Sequence, residues 1–184
     1  MTASRSANGS RRRVIAAACA LAVAPLLALA RPARAASSAR ALSFEHRHTG
    51  ERLSLTYAEG DVYVPEAMHT IAHFLRDFRN GATHAIDPGL LDALHALAWV
   101  TGSGRPFEVI SGYRSPATNE GLRERGHGVA VNSLHLTGQA IDIRLNGVAL
   151  ANLRDAALSL RAGGVGYYPA SDFVHVDTGR VRHW

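Results

Sequence analysis

Two short segments, AIDIRL (140–145) and FVHVD (173–177), alternate strictly between two kinds of side chain. A period of two is typical of a β-strand, because successive side chains point to opposite faces of the sheet. One face of each segment is aliphatic, which suits packing on helices. The other face carries a residue able to bind a metal ion, Asp142 in the first segment and His175 in the second. If the two strands are neighbours, these side chains converge.

The remaining pattern predicts an α+β domain. Apolar residues recur with the helical period in several segments, strand-like segments lie between them, and the connections are short. Predicted helices cover residues 65–79, 88–100, a short stretch from 116, and 148–162; predicted strands lie within 42–57, 106–112, 138–145, 165–168 and 172–179. The strand pairs look antiparallel. We therefore predict a small antiparallel sheet flanked by helices.

Residues 1–35 have the organisation of a secretory signal peptide. Twin arginines at 11 and 12 precede an apolar run over residues 14–30, and Ala-Arg-Ala follows at 33–35. A basic start, a short apolar run and a small-x-small end are typical of a cleaved leader, and the twin arginines indicate twin-arginine export. We predict that the leader is removed, without stable membrane insertion. Residues 36–184 would then form one domain in the periplasm or another extracytoplasmic compartment.

Removal of the leader changes the charge of the chain. Six of the 20 basic residues lie in it and none of the 15 acidic ones, so fourteen basic residues remain against fifteen acidic ones. This near-neutral balance gives no support for nucleic-acid binding. The single cysteine also lies in the leader, so any metal ion bound by residues 36–184 needs histidine and carboxylate ligands.

The stretch HLTGQAID (135–142) places His135 seven residues before Asp142. Seven residues span roughly 23 Å when extended and about 10 Å in a helix, whereas ligands of one zinc ion lie only a few ångströms apart. The two residues can share a metal only if the chain bends between them. Thr137-Gly138 is the predicted bend, because glycine adopts backbone angles that other residues avoid.

Three motifs together resemble a known family. The segment SLHLTGQAID (133–142) is similar to the Ser-x-His-x-x-Gly-x-Ala-x-Asp motif of the D-Ala-D-Ala metallopeptidases, which share their fold with the hedgehog signalling domain. DFVH (172–175) resembles the later acid-x-x-His motif, and SGYRSP (111–116) resembles an upstream element. With GGVGYYP (163–169) and the terminal RHW, residues 42–184 resemble the MepK-like murein endopeptidases of that family.

The resemblance implies one Zn²⁺ per chain, bound by His135, Asp142 and His175. Two histidines and one carboxylate leave a fourth position open, which is typical of catalytic zinc. By the family pattern, Asp172 is the general base. Strand parity leaves Asp177 as an alternative, because it shares a face with His175; it would then be the base itself or would orient a ligand.

Arg114 and Ser133 are the predicted substrate contacts. Arg114 follows a strand, where a guanidinium can bind a carboxylate or stabilise an oxygen that becomes anionic. A structural ion pair is the alternative for Arg114. Ser133 is expected to bond the backbone or a ligand and not to act as a nucleophile.

The function implied by the resemblance is zinc-dependent hydrolysis of the peptide cross-links of peptidoglycan. The expected partner is the stem peptide, and the enzyme is expected to be a monomer. One alternative is a D,D- or L,D-carboxypeptidase that trims stem peptides. A second alternative is a non-catalytic, zinc-containing domain that binds the cell wall. The presence of two candidate bases favours an enzyme.

Overall fold

A computed structural model describes residues 39–126 and 129–184, which belong to one compact unit. The predicted signal peptide lies outside the described residues. None of the helices within the described residues has the length and hydropathy that a membrane span requires.

The described residues form four helices and eight strands. The helices are α1 (Pro65–Phe74), α2 (Pro88–Thr101), α3 (Pro116–Glu124) and α4 (Leu150–Leu160). The strands are β1 (Ala39–His46), β2 (Arg52–Glu59), β3 (Val62–Tyr63), β4 (Phe107–Ser111), β5 (Ala140–Leu145), β6 (Gly164–Tyr168), β7 (Phe173–Asp177) and β8 (Arg182–His183). A 3₁₀ turn, Leu134–Thr137, precedes β5.

All eight strands belong to one sheet, in the order β3-β2-β1-β4-β5-β7-β6-β8. The α+β class is confirmed. The sheet is larger than predicted and is mixed, because β1 pairs in parallel with β4 and β6 pairs in parallel with β8. Both parallel pairs join segments that are distant in sequence. The alternation of side chains within one segment does not indicate which distant strand it pairs with, or whether the two strands run parallel.

The hydrophobic core lies on one face of the sheet. The aliphatic side chains of β5 and β7 pack there against buried leucines of α2 and α4, as the alternation predicts. They are Ile141, Ile143, Val174 and Val176 on the strands, and Leu90, Leu91, Leu94, Leu97 and Leu153 on the helices. Because the helices cover this face, the polar side chains of β5 and β7 are left on the opposite one.

Helix α1 ends at Phe74, although the apolar pattern predicts a helix as far as residue 79. Leu75 is fully buried outside the helix, and its carbonyl oxygen accepts a hydrogen bond from the amide of Tyr113. The buried carboxylate of Asp77 accepts hydrogen bonds from the amide and hydroxyl of Ser115. The apolar spacing continues because the loop packs on the same core, so periodicity alone cannot locate the end of the helix.

Candidate metal centre

Strands β5 and β7 are antiparallel neighbours in which Asp142 lies directly opposite His175. Both side chains are buried, on the face away from α2 and α4. Directly opposed residues in an antiparallel pair have Cβ atoms about 4.5–5.5 Å apart, close enough for their side chains to meet. The predicted convergence of these two residues is confirmed.

His135 reaches the same place from the 3₁₀ turn before β5. The turn ends at Gly138, whose φ of 67° is in the left-handed region. A Cβ at Gly138 would also lie 2.1 Å from the carbonyl oxygen of Ala85, so a side chain is excluded on two grounds. The predicted bend between His135 and Asp142 is therefore present, and it depends on glycine.

Three ligand-type atoms meet at this point. His135 Nε2 lies 3.3 Å from Asp142 Oδ1 and 3.2 Å from His175 Nδ1, and His175 Nδ1 lies 2.9 Å from Asp142 Oδ1. Donors bonded to one tetrahedral Zn²⁺ at about 2.0–2.2 Å are roughly 3.3–3.6 Å apart. The observed separations are close to these values, so the donor set fits one small cation.

The outer nitrogens of both histidines fix which atoms face the centre. His135 Nδ1 donates to the carbonyl oxygen of Gly112 at 2.6 Å, and His175 Nε2 donates to Asp177 Oδ2 at 3.0 Å. The opposite nitrogens, His135 Nε2 and His175 Nδ1, then carry lone pairs in the neutral rings. Two lone pairs and a carboxylate oxygen in contact repel one another, and a cation between them removes this repulsion.

Electrostatics keep Asp142 ionised. Burial raises the pKa of its carboxyl group, but His135, His175 and Arg114 outweigh this effect and hold the pKa below the usual value. Burial also lowers the pKa of His135. A carboxylate and a neutral imidazole are the forms that bind metal ions.

Asp177 is fully buried and both its oxygens are occupied. Besides His175, it accepts hydrogen bonds from the amides of Gly164 and Gly179, each at 2.9 Å, and from the guanidinium of Arg182. Burial alone would raise the pKa of Asp177. The hydrogen bonds from these donors lower the pKa by more than burial raises it, so it lies below the usual value. This environment suits a residue that orients His175, and it leaves no oxygen free to accept a proton.

Asp172 lies at the start of β7, outside the three-residue cluster. Its φ of 55° places it before the regular strand, as parity requires. The side chain is 58% exposed and forms an ion pair with Arg144 of β5. Its two neighbours, Ser171 and Phe173, line the cleft beside the cluster.

Arg114 and Ser133 both line this cleft, and both also bond within the protein. Arg114 forms an ion pair with Asp142 Oδ2 and donates from Nε to the hydroxyl of Ser111 at 3.0 Å. The hydroxyl of Ser133 accepts from the amide of His135 and caps the 3₁₀ turn. The structural ion pair considered for Arg114 is therefore present.

The cleft has a volume of about 590 Å³ and includes residues to which the sequence assigned no definite role. Trp184 lies 5.3 Å from the ring of His175, and its Nε1 donates to the hydroxyl of Tyr168. Arg79 and Arg125 lie along the cleft as well. A Cβ at Gly166 on β6 would lie 2.8 Å from the ring of Trp184, so glycine at this position makes room for the ring.

Comparison with known proteins identifies the family of the chain. The family described as "Peptidoglycan L,D-endopeptidase MepK" matches residues 34–184. The chain belongs to this family. The MepK protein of Escherichia coli strain K12 is 50% identical over 145 residues, which cover 79% of this chain and 80% of that protein. A relative from Haemophilus influenzae, named a probable peptidoglycan L,D-endopeptidase MepK, is 43% identical over 146 residues, or 79% and 78% of the two chains.

Among solved structures, the L-Ala D-Glu endopeptidase ChiX of Serratia marcescens is similar to part of this MepK-family chain. The two share 25% identity with a TM-score of 0.34, over 41% of this chain and 62% of that one. A superposition this limited does not bear on the fold.

Proposed function

We propose that this chain is a zinc-dependent peptidoglycan endopeptidase that cleaves L,D-cross-links between stem peptides outside the cytoplasm. The observation that carries the proposal is the convergence of His135 Nε2, Asp142 Oδ1 and His175 Nδ1 within 3.3 Å of one another. This convergence lies in a cleft, in a chain of the MepK family. The same family membership favours an endopeptidase over a carboxypeptidase.

His135, Asp142 and His175 would bind one Zn²⁺ per chain and leave a position open toward the cleft. Zinc held there supplies a Lewis acid for the scissile carbonyl and lowers the pKa of water. Asp177 keeps His175 in the tautomer and orientation that the site needs. Arg114 holds Asp142 Oδ2, so that Oδ1 faces the two histidines, and its remaining N–H groups stabilise the carbonyl oxygen as it becomes anionic.

Asp172 is the general base in this proposal. It is the one carboxylate of the two predicted candidates whose oxygens are not occupied by buried donors. Its side chain turns from Arg144 toward the cleft when substrate enters, takes a proton from water and passes it to the leaving amine. Ser133 contributes by holding the turn that carries His135, and its position in the cleft puts it beside the bound peptide.

Export by the twin-arginine route, with removal of residues 1–35, completes the proposal. The leader pattern supports this route, and a peptidoglycan substrate is found outside the cytoplasm. The enzyme works as a monomer in this proposal, because the three ligands, the base Asp172 and the orienting residue Asp177 all come from one chain.

A muropeptide digest analysed by mass spectrometry tests the proposed reaction. The full chain is loaded with zinc and incubated with purified cross-linked stem-peptide dimers. An L,D-endopeptidase converts each dimer into two monomers, with the addition of one water molecule. Loss of only a terminal residue would identify a carboxypeptidase instead. Binding of the dimers without any cleavage would identify a cell-wall-binding domain.

A further inference from the structure

The cleft beside the metal centre is rich in arginine. Its arginines are Arg79, Arg114, Arg125 and Arg182. Two of these are neutralised by buried carboxylates of the site, because Arg114 pairs with Asp142 and Arg182 pairs with both oxygens of Asp177. Among the described residues, Arg125 has no carboxylate within ion-pair distance and Arg79 has only Asp77, at 4.0 Å, so the charge of the cleft is uneven.

Arg79 is held in place, but it is paired only loosely with a carboxylate. Its guanidinium carbon lies 4.1 Å from the ring centre of Phe78 and its Nη1 lies 4.0 Å from Asp77 Oδ1. Asp77 is already occupied, since it accepts from the amide and hydroxyl of Ser115 and from the amide of Arg79 itself. Within residues 39–126 and 129–184, the Arg79 guanidinium donates no hydrogen bond, although only a third of the side chain is exposed.

Arg125 adds a second positive charge on the same part of the cleft. It follows α3 and is exposed, and no carboxylate of the described residues lies within ion-pair distance of its guanidinium. Partial burial lowers the pKa of Arg79, and the positive charges of Arg114 and Arg125 lower it further. Asp77 and Asp142 act in the opposite direction but do not outweigh these effects. Like charges gathered in a partly buried cleft cost folding stability, and they attract an anionic ligand.

We propose that Arg79, assisted by Arg125, binds a free carboxylate of the substrate beside the scissile amide, and that the enzyme selects peptides in which this carboxylate is ionised. The inference rests on the proposed function. In a cross-link whose amide nitrogen belongs to a D-centre, that centre can carry an α-carboxylate next to the bond that breaks. A guanidinium matches a carboxylate with two parallel hydrogen bonds, and stacking on Phe78 holds its plane.

The test compares two substrates and four proteins. The substrates are a cross-linked stem-peptide dimer with free carboxylates and the same dimer with those carboxylates converted to carboxamides. The proteins are the zinc-loaded full chain, Arg79→Gln, Arg79→Lys and the control Arg123→Gln. Arg123 pairs with Glu120 on α3, outside the cleft. Zinc content and Tm are measured for every variant to show that fold and metal centre are intact.

Arg79→Gln is expected to raise KM for the acidic dimer by roughly 10- to 100-fold while kcat changes by less than about threefold, because the lost charge-assisted hydrogen bonds hold a substrate group whose own bonds do not change in the reaction. Arg79→Lys should lie between this variant and the wild type, and Arg123→Gln should match the wild type. For the wild type, KM should be higher for the amidated dimer than for the acidic dimer by a similar factor. For Arg79→Gln, KM should be nearly the same for the two dimers.

An unchanged KM in Arg79→Gln, or undiminished discrimination between acid and amide, would overturn the inference. Calorimetric titration of both dimers into the same proteins separates this result from a failure of the proposed function. If no protein cleaves either dimer, the proposed function fails, and the preference for the acid is still read from the binding constants. Equal binding of acid and amide by the wild type also overturns the inference.

Discussion

Buried histidines lie on both faces of the sheet, and their surroundings differ. His46, on β1, lies on the core face against Phe74 and Phe78, and its Nε2 has no hydrogen-bond partner among the described residues. His135 and His175 lie on the opposite face, and each has both ring nitrogens in polar contact. Burial alone therefore does not make a metal ligand. What marks His135 and His175 as candidate ligands is their convergence with a carboxylate and the fixed position of their outer nitrogens.

The difference appears in the proton affinity of the rings. Burial, with smaller effects of His48, Arg76 and Arg79 that Glu51 partly opposes, lowers the pKa of His46 to about 4. Burial acts in the same direction on His175, but Asp142 and Asp177 outweigh it and raise the pKa. The two histidines of the metal centre differ from each other as well, since burial lowers the pKa of His135 while the two carboxylates raise that of His175.

The largest effect is expected when a proposed ligand is removed. His135→Ala should abolish stoichiometric zinc binding and, with it, cleavage of cross-linked dimers, because two remaining ligands hold zinc weakly. Metal analysis after dialysis measures the zinc. His69→Ala, on the exposed side of α1, is the matched control and should keep both zinc and activity. Stoichiometric zinc in His135→Ala would remove His135 from the ligand set.

The second prediction concerns the base. Asp172→Asn should keep zinc and lower kcat by roughly 10²- to 10⁴-fold, as for the loss of a general base. Its partner gives the control, since Arg144→Gln breaks the same ion pair without removing the carboxylate. If both variants lower stability slightly and leave kcat unchanged, Asp172 is only an ion-pair partner.

The third prediction uses His46. Its folded pKa of about 4 lies below the unfolded value of 6.5, so the unfolded chain binds the proton first as pH falls. The contribution of neutral His46 to the free energy of unfolding is therefore fully present above pH 6.5. It is lost as the pH falls from 6.5 to 4, by about 3 kcal/mol. Urea unfolding of wild type and His46→Leu across this range, with chelator in both to remove metal effects, measures the difference. Parallel losses in the two proteins would contradict the assignment.

The smallest effect is expected at the support of the centre. Asp177→Asn keeps a hydrogen-bonding group beside His175 Nε2 but removes the charge that orients the ring. Zinc affinity should fall by roughly 10- to 100-fold, without the complete loss expected for His135→Ala. Competition with a chelator of known affinity measures the change. An affinity equal to that of the wild type would show that Asp177 serves only Arg182 and the two glycine amides that it binds.

Much of the site could be predicted from sequence, because it depends on local rules. The period of two in β5 and β7 fixes the faces of Asp142 and His175, and the seven-residue spacing demands the bend at Gly138. The orientation of the histidines could not be predicted in this way. It depends on the Gly112 carbonyl and on Asp177, and only the packing of separate strands brings these groups to the rings.

The fold shows the same division. Proline and glycine mark the ends of α2 correctly, and an Asp87 cap confirms its start. The early end of α1 was missed, because Leu75 packs on the core from a loop. The parallel pairs and the position of Arg79 in the cleft were also missed, since both depend on contacts between segments that are distant in sequence.

Zinc-dependent cleavage of a cross-linked dimer by the full chain tests the central claim most directly. Zinc content and new amine ends are measured in one sample as purified, after chelation, and after zinc is restored. We predict one zinc per chain, new amine ends only when zinc is present, and recovery on restoration. Cleavage that persists after zinc has been removed, or stoichiometric zinc without cleavage, would contradict the claim.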